Sequence, residues 1–387
     1  MSESPEDVIY LDHAATTPTR PEVVEAMAPF MNDRFGNPSG SHVVARSAVN
    51  AMDEAREVIA GIIGAEPGDV IFTSGGTEAD NHAITGGLPS RSGVPICSAV
   101  EHHAVLDVVE ALGGRTVAVD SQCRVSIDSL KAALDETGEE TSIVSVMLAN
   151  NEVGTINDLG PIADLVAEYS PQERRIPLHT DAVQAAAWLD LRAAASRADL
   201  ISVSAHKLGG PKGIGALVVR KGTPIRPMIL GGGQERGRRS GTPSVAAIVG
   251  FATALRMVDS ERDLVTERVI GLRRRFIDGL SESIDEIVAT IDDARTVPGT
   301  CHVCFEGADS ESLLLLFESA GLVASAGSSC SSGASEPSHV LSAMSVADKL
   351  RDGAIRFSIG HGTTEDDIER AVDLIPGAVS RARAFFS

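Results

Sequence analysis

The sequence predicts an α/β protein, in which a mainly parallel central sheet flanked by helices is joined to a smaller α+β unit. Three observations carry this. Short apolar runs alternate with helical patterns from about Val70 to Arg220, the rhythm of strand–helix–strand crossovers. The first run passes through a glycine pair, Gly75 and Gly76, straight into a helical pattern. From Val245 to Leu280 runs one long helical stretch, charge-rich after Asp259, that reads as the connection into a second unit.

Taken in order, strands are expected at Val70–Thr73, Pro95–Ala99, Ile143–Leu148, Pro177–Thr180, Leu200–Ser204 and Gly215–Arg220. Helical stretches such as Glu78–Gly86, His103–Leu112 and Ile162–Tyr169 lie between them. The smaller unit holds a strand at Thr300–Phe305, a helix at Glu311–Ala320 stopped by Gly321, and a strand at Ala354–Ser358. A last helix follows Thr364, with Glu365, Asp366 and Asp367 setting negative charge at its positive end. The expected division is 15–260 for the large domain and 1–14 with 261–387 for the small one.

Composition narrows the function. The 387 residues suffice for a sizeable core, 43% are hydrophobic, and no segment is repeated or low in complexity. No apolar run approaches a membrane span, the longest lying around Ser312–Phe317. Met1–Asp7 is acidic and polar, unlike a secretory signal. With 54 acidic against 33 basic residues the net charge is −21, which repels nucleic-acid phosphates. Lysines are confined to Lys131, Lys207, Lys212, Lys221 and Lys349. Such an acid-rich, lysine-poor surface suits a high-salt cytoplasm, where screening removes self-repulsion. The expected outcome is a sharp loss of thermal stability at low salt; salt-independent unfolding would contradict it. Five cysteines leave an odd one in any disulfide scheme, in keeping with a reducing cytoplasm.

Two segments carry chemistry. In Ile71–Asn81 an apolar strand enters Ser74, Gly75, Gly76 and Thr77 ahead of a helix, so backbone N–H groups, a hydroxyl and the helix end can cradle a phosphate. The alternative is an ordinary strand-to-helix turn. In Leu200–Lys207 a buried-type strand delivers Ser204, His206 and Lys207 at its carboxyl end, where open α/β sheets bind ligands. Lys207 could form a Schiff base with an aldehyde cofactor, or be a solvated loop lysine. The preceding strand ends at Asp181, near Gln184; a carboxylate there can keep a pyridine nitrogen protonated, or cap a helix.

Together these residues resemble the cysteine desulfurase family of fold-type I pyridoxal-phosphate enzymes, and the likeness runs through nearly the whole chain. It includes Tyr10–Pro18, Phe35–Pro38, the glycine turn, Glu101-His102, Asn150–Gly154, His179–Gln184, Ser204–Lys207, Gly231–Thr242 and Ile355–Gly360. The resemblance implies roles. Lys207 would bind pyridoxal 5′-phosphate covalently, and Asp181 would pair with the pyridinium nitrogen. His102 would stack on the ring and assist proton transfer, while Gln184 and Asn151 would lie near the ring hydroxyl and substrate. Gly76, Thr77, Ser204 and His206 would bind the phosphate, with Thr242 reaching it from the second subunit of a homodimer. Arg356, which alone could be an edge-strand arginine, would clamp the carboxylate of L-cysteine.

Cys330 lies in the small-residue run Gly327–Ser335, which has little to bury and is expected to be mobile. Read alone it is a linker with an incidental cysteine. The resemblance makes it the thiol that takes sulfur from cysteine as a persulfide and passes it to a protein acceptor such as an iron–sulfur cluster scaffold. The loop's length resembles the iron–sulfur assembly branch. A selenocysteine lyase or an aminotransferase on the same scaffold, or an assembly partner without chemistry, are the alternatives. Alternation across Thr300–Phe305 sets Cys301 and Cys304 on opposite faces, against a shared metal, and Cys97 reads as core. His103 stands where the family often has lysine. The chain stops at Ser387, soon after its last helix, which bears against scaffold docking through a longer tail.

Overall fold

The computed structural model describes residues 8–87, 93–171, 174–291, 295–327 and 338–386. The chain opens with β1 (Ile9–Tyr10), α1 (Pro21–Met31) and α2 (Val43–Ile63). Alternation follows: β2 (Val70–Thr73), α3 (Gly76–Gly86), β3 (Val94–Ser98), α4 (His103–Ala111), β4 (Arg115–Val117), α5 (Ile127–Thr137) and β5 (Thr141–Ser145). It continues with α6 (Leu159–Tyr169), β6 (Leu178–Asp181), the single turn α7 (Leu191–Ala194), β7 (Leu200–Ser204) and β8 (Gly215–Val219). After α8 (Val245–Ser283) come β9 (Ile287–Ala289), β10 (Thr300–Phe305), α9 (Ser310–Ser319) and β11 (Leu322–Val323). The chain closes with α10 (His339–Ala343), α11 (Asp348–Arg351), β12 (Ala354–Ser358) and α12 (Glu365–Phe386).

Seven strands form one sheet in the order β2-β8-β7-β6-β5-β3-β4. All neighbours from β7 to β4 are parallel, whereas β8 runs antiparallel to both β7 and β2. Apolar residues cover both faces. Ile71, Ile143 and Leu217 pack on Ala83 and Val105 of α3 and α4, while Phe72, Val144 and Val218 face α2 and the first half of α8. That two-sided burial explains why the strands read as continuous apolar runs. A second sheet, β12-β10-β9, is antiparallel and packs with the later part of α8 and with α12 around Phe276, Phe305 and Phe357. Helix α8 therefore serves two cores, its apolar residues up to Val258 facing one and those from Val269 the other.

The expected boundaries need small corrections. The Ile143–Leu148 run pairs as a strand only to Ser145, although the Val146 and Leu148 N–H groups still donate to β6 carbonyls. The Val245 helix continues past Leu280 to Ser283, ending where Ile284 turns to extended backbone. Cys301 and Cys304 do lie on opposite faces of β10, each buried in a different apolar cluster, and Cys97 is core. At α12, Thr364 and Asp367 cap one another reciprocally: Asp367 Oδ2 accepts from the Thr364 N–H and Thr364 Oγ1 accepts from the Asp367 N–H.

Candidate active site

The site begins with the strand order. Ser204 at the end of β7 pairs with Gly215 at the start of β8, and Gly215 pairs with Thr73 at the end of β2. Because β8 is reversed, the carboxyl ends of β2 and β7 lie in one row, and the Gly75-Gly76 turn sits beside Ser204. The fit is close: a Cβ on Gly215 would come within 2.8 Å of the Gly75 carbonyl carbon. A Cβ on Gly76 would meet Val183 Cγ2 at 2.9 Å and Ser204 Cβ at 3.6 Å. Helix α3 starts there, and the N–H groups of its first turn have no partner within the helix. A turn packed closely at Gly76 and leading into a helix N-terminus fits a phosphate.

One strand along, Asp181 ends β6 and pairs with Ser202 of β7. It is buried, its Oδ1 accepts from the Val183 N–H at 2.8 Å, and burial pushes its pKa up to about 6 against the pull of the Lys207 charge. A buried carboxylate held this way favours a cationic partner, which a pyridinium nitrogen would be. Lys207 follows β7 in a 3-10 turn, Ala205–Lys207, and its Nζ donates to the Ala14 and Ala15 carbonyls at 2.5 and 2.7 Å. Gln184 Nε2 donates to the same Ala14 carbonyl at 2.9 Å. His102 caps α4, its Nδ1 accepting from the Ala104 N–H at 3.0 Å; burial and then the Lys207 charge lower its pKa to about 4. His206, burial-shifted likewise to about 4, holds Thr16 Oγ1 at 3.2 Å. Both imidazoles are neutral at physiological pH, as a ring-stacking or phosphate-side donor requires.

Arg356 lies on β12, an edge strand, but is 3% exposed. Its Nη1 donates to the Asn151 carbonyl at 2.9 Å and its Nη2 to Asp12 Oδ1 at 2.8 Å, while Nε has no partner among the described residues. The guanidinium is thus already part of the seam between β12 and the Asp12–Thr17 segment. Replacing Arg356 by alanine is expected to raise the cysteine concentration for half-maximal rate by about tenfold to a hundredfold, the worth of a charged hydrogen bond. It should also lower the melting temperature, since Asp12 loses its cation. Steady-state kinetics and thermal melts check both; an unchanged KM removes Arg356 from the substrate site.

Gly76, Asp181, Gln184, Ser204, His206, Lys207 and His102 are therefore brought to one edge, with Asn151 and Arg356 adjoining through the Asp12 segment. Thr77 and Thr242 are exposed on the chain itself. Cys330 lies outside the described residues. His103 is half-buried, its Nδ1 2.9 Å from Asp107 Oδ1 and its ring centroid 4.8 Å from that of His339.

Sequence reasoning gave no role to a buried polar layer beneath these groups. His179 Nδ1 lies 2.8 Å from Ser145 Oγ and its Nε2 3.0 Å from Ser202 Oγ and 3.6 Å from Asp80 Oδ1. Burial lowers His179 to about 3 and raises Asp80 well above its ordinary value, so the neutral imidazole makes no ion pair there. Glu101 accepts from the Met147 N–H at 2.7 Å through Oε1, while Oε2 is buried without a partner among the described residues. Burial holds its carboxyl well above the usual value. An acid whose pKa is raised by folding stabilises fully below its unfolded pKa and loses that contribution as pH rises through the folded one. Glu101→Gln, which keeps the acceptor and cannot ionise, is therefore expected to gain melting temperature relative to the parent from about pH 4.5 upward. A pH-independent difference would show that Glu101 ionises without penalty.

The aminotransferase class-V model matches residues 9–371, and the chain belongs to that family, whose cofactor is pyridoxal 5′-phosphate. Relatives that it matches over nearly their full length include cysteine desulfurases. It is 42% identical to the cysteine desulfurase IscS of Dictyoglomus turgidum, over 97% of this chain and 95% of that one. It is 41% identical to the IscS-like cysteine desulfurase of Mycobacterium tuberculosis, over 97% of each. A solved NifS-like protein superposes with a TM-score of 0.88 at 32% identity, covering 97% of this chain and all of that one (100%).

Proposed function

We propose that this chain is a pyridoxal-phosphate-dependent cysteine desulfurase that converts L-cysteine to L-alanine and carries the sulfur as a persulfide on Cys330. The observation that carries the reading is buried Asp181 at the end of β6 and Lys207 just after the adjacent β7, beside a glycine turn that fits a phosphate. When bound, the cofactor supplies an electron sink conjugated to the substrate's α-carbon. The chain's own residues do the rest. Gly76, Thr77, Ser204 and His206 hold the phosphate, with Thr242 contributed by a second copy in a homodimer. Asp181 would keep the ring nitrogen protonated, Gln184 and Asn151 would hold the ring oxygen and substrate, and the neutral His102 would help hold the cofactor. Arg356 binds the substrate carboxylate. Lys207, the amine nearest these groups, removes the α-proton and returns a proton after the sulfur has left.

The Cys330 thiolate attacks the substrate sulfur. A sulfur–sulfur bond forms, the carbon–sulfur bond breaks, and its electron pair stays with the carbon, which is protonated to become the methyl group of alanine. The persulfide then passes its outer sulfur to a protein acceptor, for which an iron–sulfur scaffold fits the loop length. No helix among the described residues is long and apolar enough to cross a membrane, in keeping with a cytoplasmic enzyme. The purified protein, given L-cysteine and a thiol reductant, is expected to form alanine and sulfide in equal amounts. A keto acid would instead mark an aminotransferase, and turnover of selenocysteine alone a selenocysteine lyase.

A further inference from the structure

The residues that flank Cys330 converge on Glu152, a side chain outside the cofactor and substrate contacts. Gly327 precedes the run that carries Cys330 and Ser338 follows it. Glu152 is 1% exposed, and its Oε2 accepts from Ser338 Oγ at 2.6 Å. The same oxygen lies against Gly327, where a Cβ would come within 2.4 Å of it. One carboxylate oxygen therefore meets both ends of the run. Ser338 is fixed in turn, because its Oγ accepts from the Leu341 N–H at 3.1 Å and caps α10. Val340 and Leu341 of that helix pack with Val153 in a buried cluster. On the entry side, Ser325 exchanges backbone hydrogen bonds with Arg356 at 2.7 and 3.1 Å.

Glu152 itself sits on a braced turn. Asn150 Oδ1 accepts from the N–H groups of Glu152 and Val153 at 2.9 and 3.0 Å, and Asn150 Nδ2 donates to the Val100 carbonyl at 3.1 Å. The neighbouring Asn151 carbonyl receives the Arg356 guanidinium at 2.9 Å. The oxygen that meets Gly327 and Ser338 thus belongs to the turn on which a candidate substrate contact lies. A buried carboxylate is costly unless it is hydrogen-bonded, so the Ser338 hydroxyl is a structural tie. Fixing both ends of a short segment restricts what its middle can explore and raises the effective concentration of a group it carries. We infer that Glu152 is a positioning residue for Cys330, tying both ends of the run that bears the thiol to the turn that meets the substrate. The inference rests on the reading of Cys330 as the sulfur-accepting thiol.

Three measurements on the holoenzyme test it. The first is the single-turnover rate at which the Cys330 peptide gains one sulfur from L-cysteine, followed by mass spectrometry. The second is the half-saturation by L-cysteine of the change in cofactor absorbance. The third is the rate at which iodoacetamide alkylates Cys330 without substrate. Glu152→Ala is expected to slow sulfur gain by about tenfold to a hundredfold, the cost of misplacing a reacting group by about 1 Å. Half-saturation and alkylation should stay as in the parent, because neither needs the thiol placed at the substrate. Glu152→Gln keeps a carbonyl acceptor for Ser338 and should restore most of the rate. Ser338→Ala should also slow sulfur gain, and adding it to Glu152→Ala should cost little more, as expected of two ends of one tie. Should Glu152→Ala fail to fold, Ser338→Ala and Gly327→Ala, whose methyl would push on Glu152, carry the same test. Parental sulfur gain in the alanine variants, a half-saturation raised in step with the lost rate, alkylation slowed in parallel, or a glutamine variant as slow as the alanine one would each overturn the inference. If the parent's Cys330 gains no sulfur, the reading of Cys330 fails and this inference with it; if only the variants behave as the parent does, that reading stands and the role of Glu152 falls.

Discussion

Cys330→Ser is expected to abolish sulfide and alanine formation, by a factor on the order of 10³ or more, the scale on which removal of an enzymatic nucleophile is felt. Folding and cofactor binding should be untouched. The groups that would hold the cofactor, Asp181, Lys207, Ser204, His206 and the Gly75-Gly76 turn, come from the sheet edge and its helix, and serine nearly preserves size and polarity. What is lost is nucleophilicity. A cysteine thiol, with an ordinary pKa of about 8.5, supplies thiolate at neutral pH, whereas a serine hydroxyl stays neutral and attacks sulfur poorly. An aminotransferase would keep its keto-acid production in this variant, and an incidental linker cysteine would leave sulfide release unchanged. Mass spectrometry of the parent protein after brief turnover should find one added sulfur on the peptide bearing Cys330. Sulfide release by Cys330→Ser near the parental rate would end the assignment.

Lys207→Ala should be the second near-complete loss. A positioned general base contributes about 10² to 10⁴ in rate, and covalent cofactor binding is lost with it. The parent should purify yellow, and the variant should shed its visible absorbance on dialysis. The structure adds a separate effect: Lys207 Nζ donates to the Ala14 and Ala15 carbonyls, so the alanine variant also frees the segment that Arg356 and Asp12 brace. A purely structural role predicts a lower melting temperature with activity reduced in proportion to unfolded protein. A base predicts folded, inactive protein whose rate is partly restored by a small primary amine such as methylamine. Full activity in Lys207→Ala would remove the central residue of the mechanism.

Much of this was legible before any fold was known. β2, β7, β10 and β12 fall where their apolar runs place them, because strands buried on both faces, or in a small core, leave few polar interruptions. β4 was not legible: Arg115 and Thr116 are exposed, and only pairing with β3 makes the segment a strand. The reversed direction of β8 was equally hidden, since an apolar run has no polarity of direction. α2 has buried residues at helical spacing from Ala45 to Ile63 and Gly64 at its end, and it packs with α1 and α8 in one core.

The sequence by itself determined the chemistry available: a glycine turn ahead of a helix, a lysine and a carboxylate at successive strand ends, and a thiol in a small-residue run. Those are local facts, set by residue types a few positions apart and by the strand period. Only the tertiary structure decided what those groups face. Lys207 meets the Ala14 carbonyl across 193 positions, and Arg356 meets Asp12 across 344. The pKa shifts of Asp80, Glu101 and His179 come from the same source, because desolvation depends on everything packed around a group. A polar letter in a sequence names a donor or an acceptor; burial decides whether it is charged, and packing decides which partner it meets.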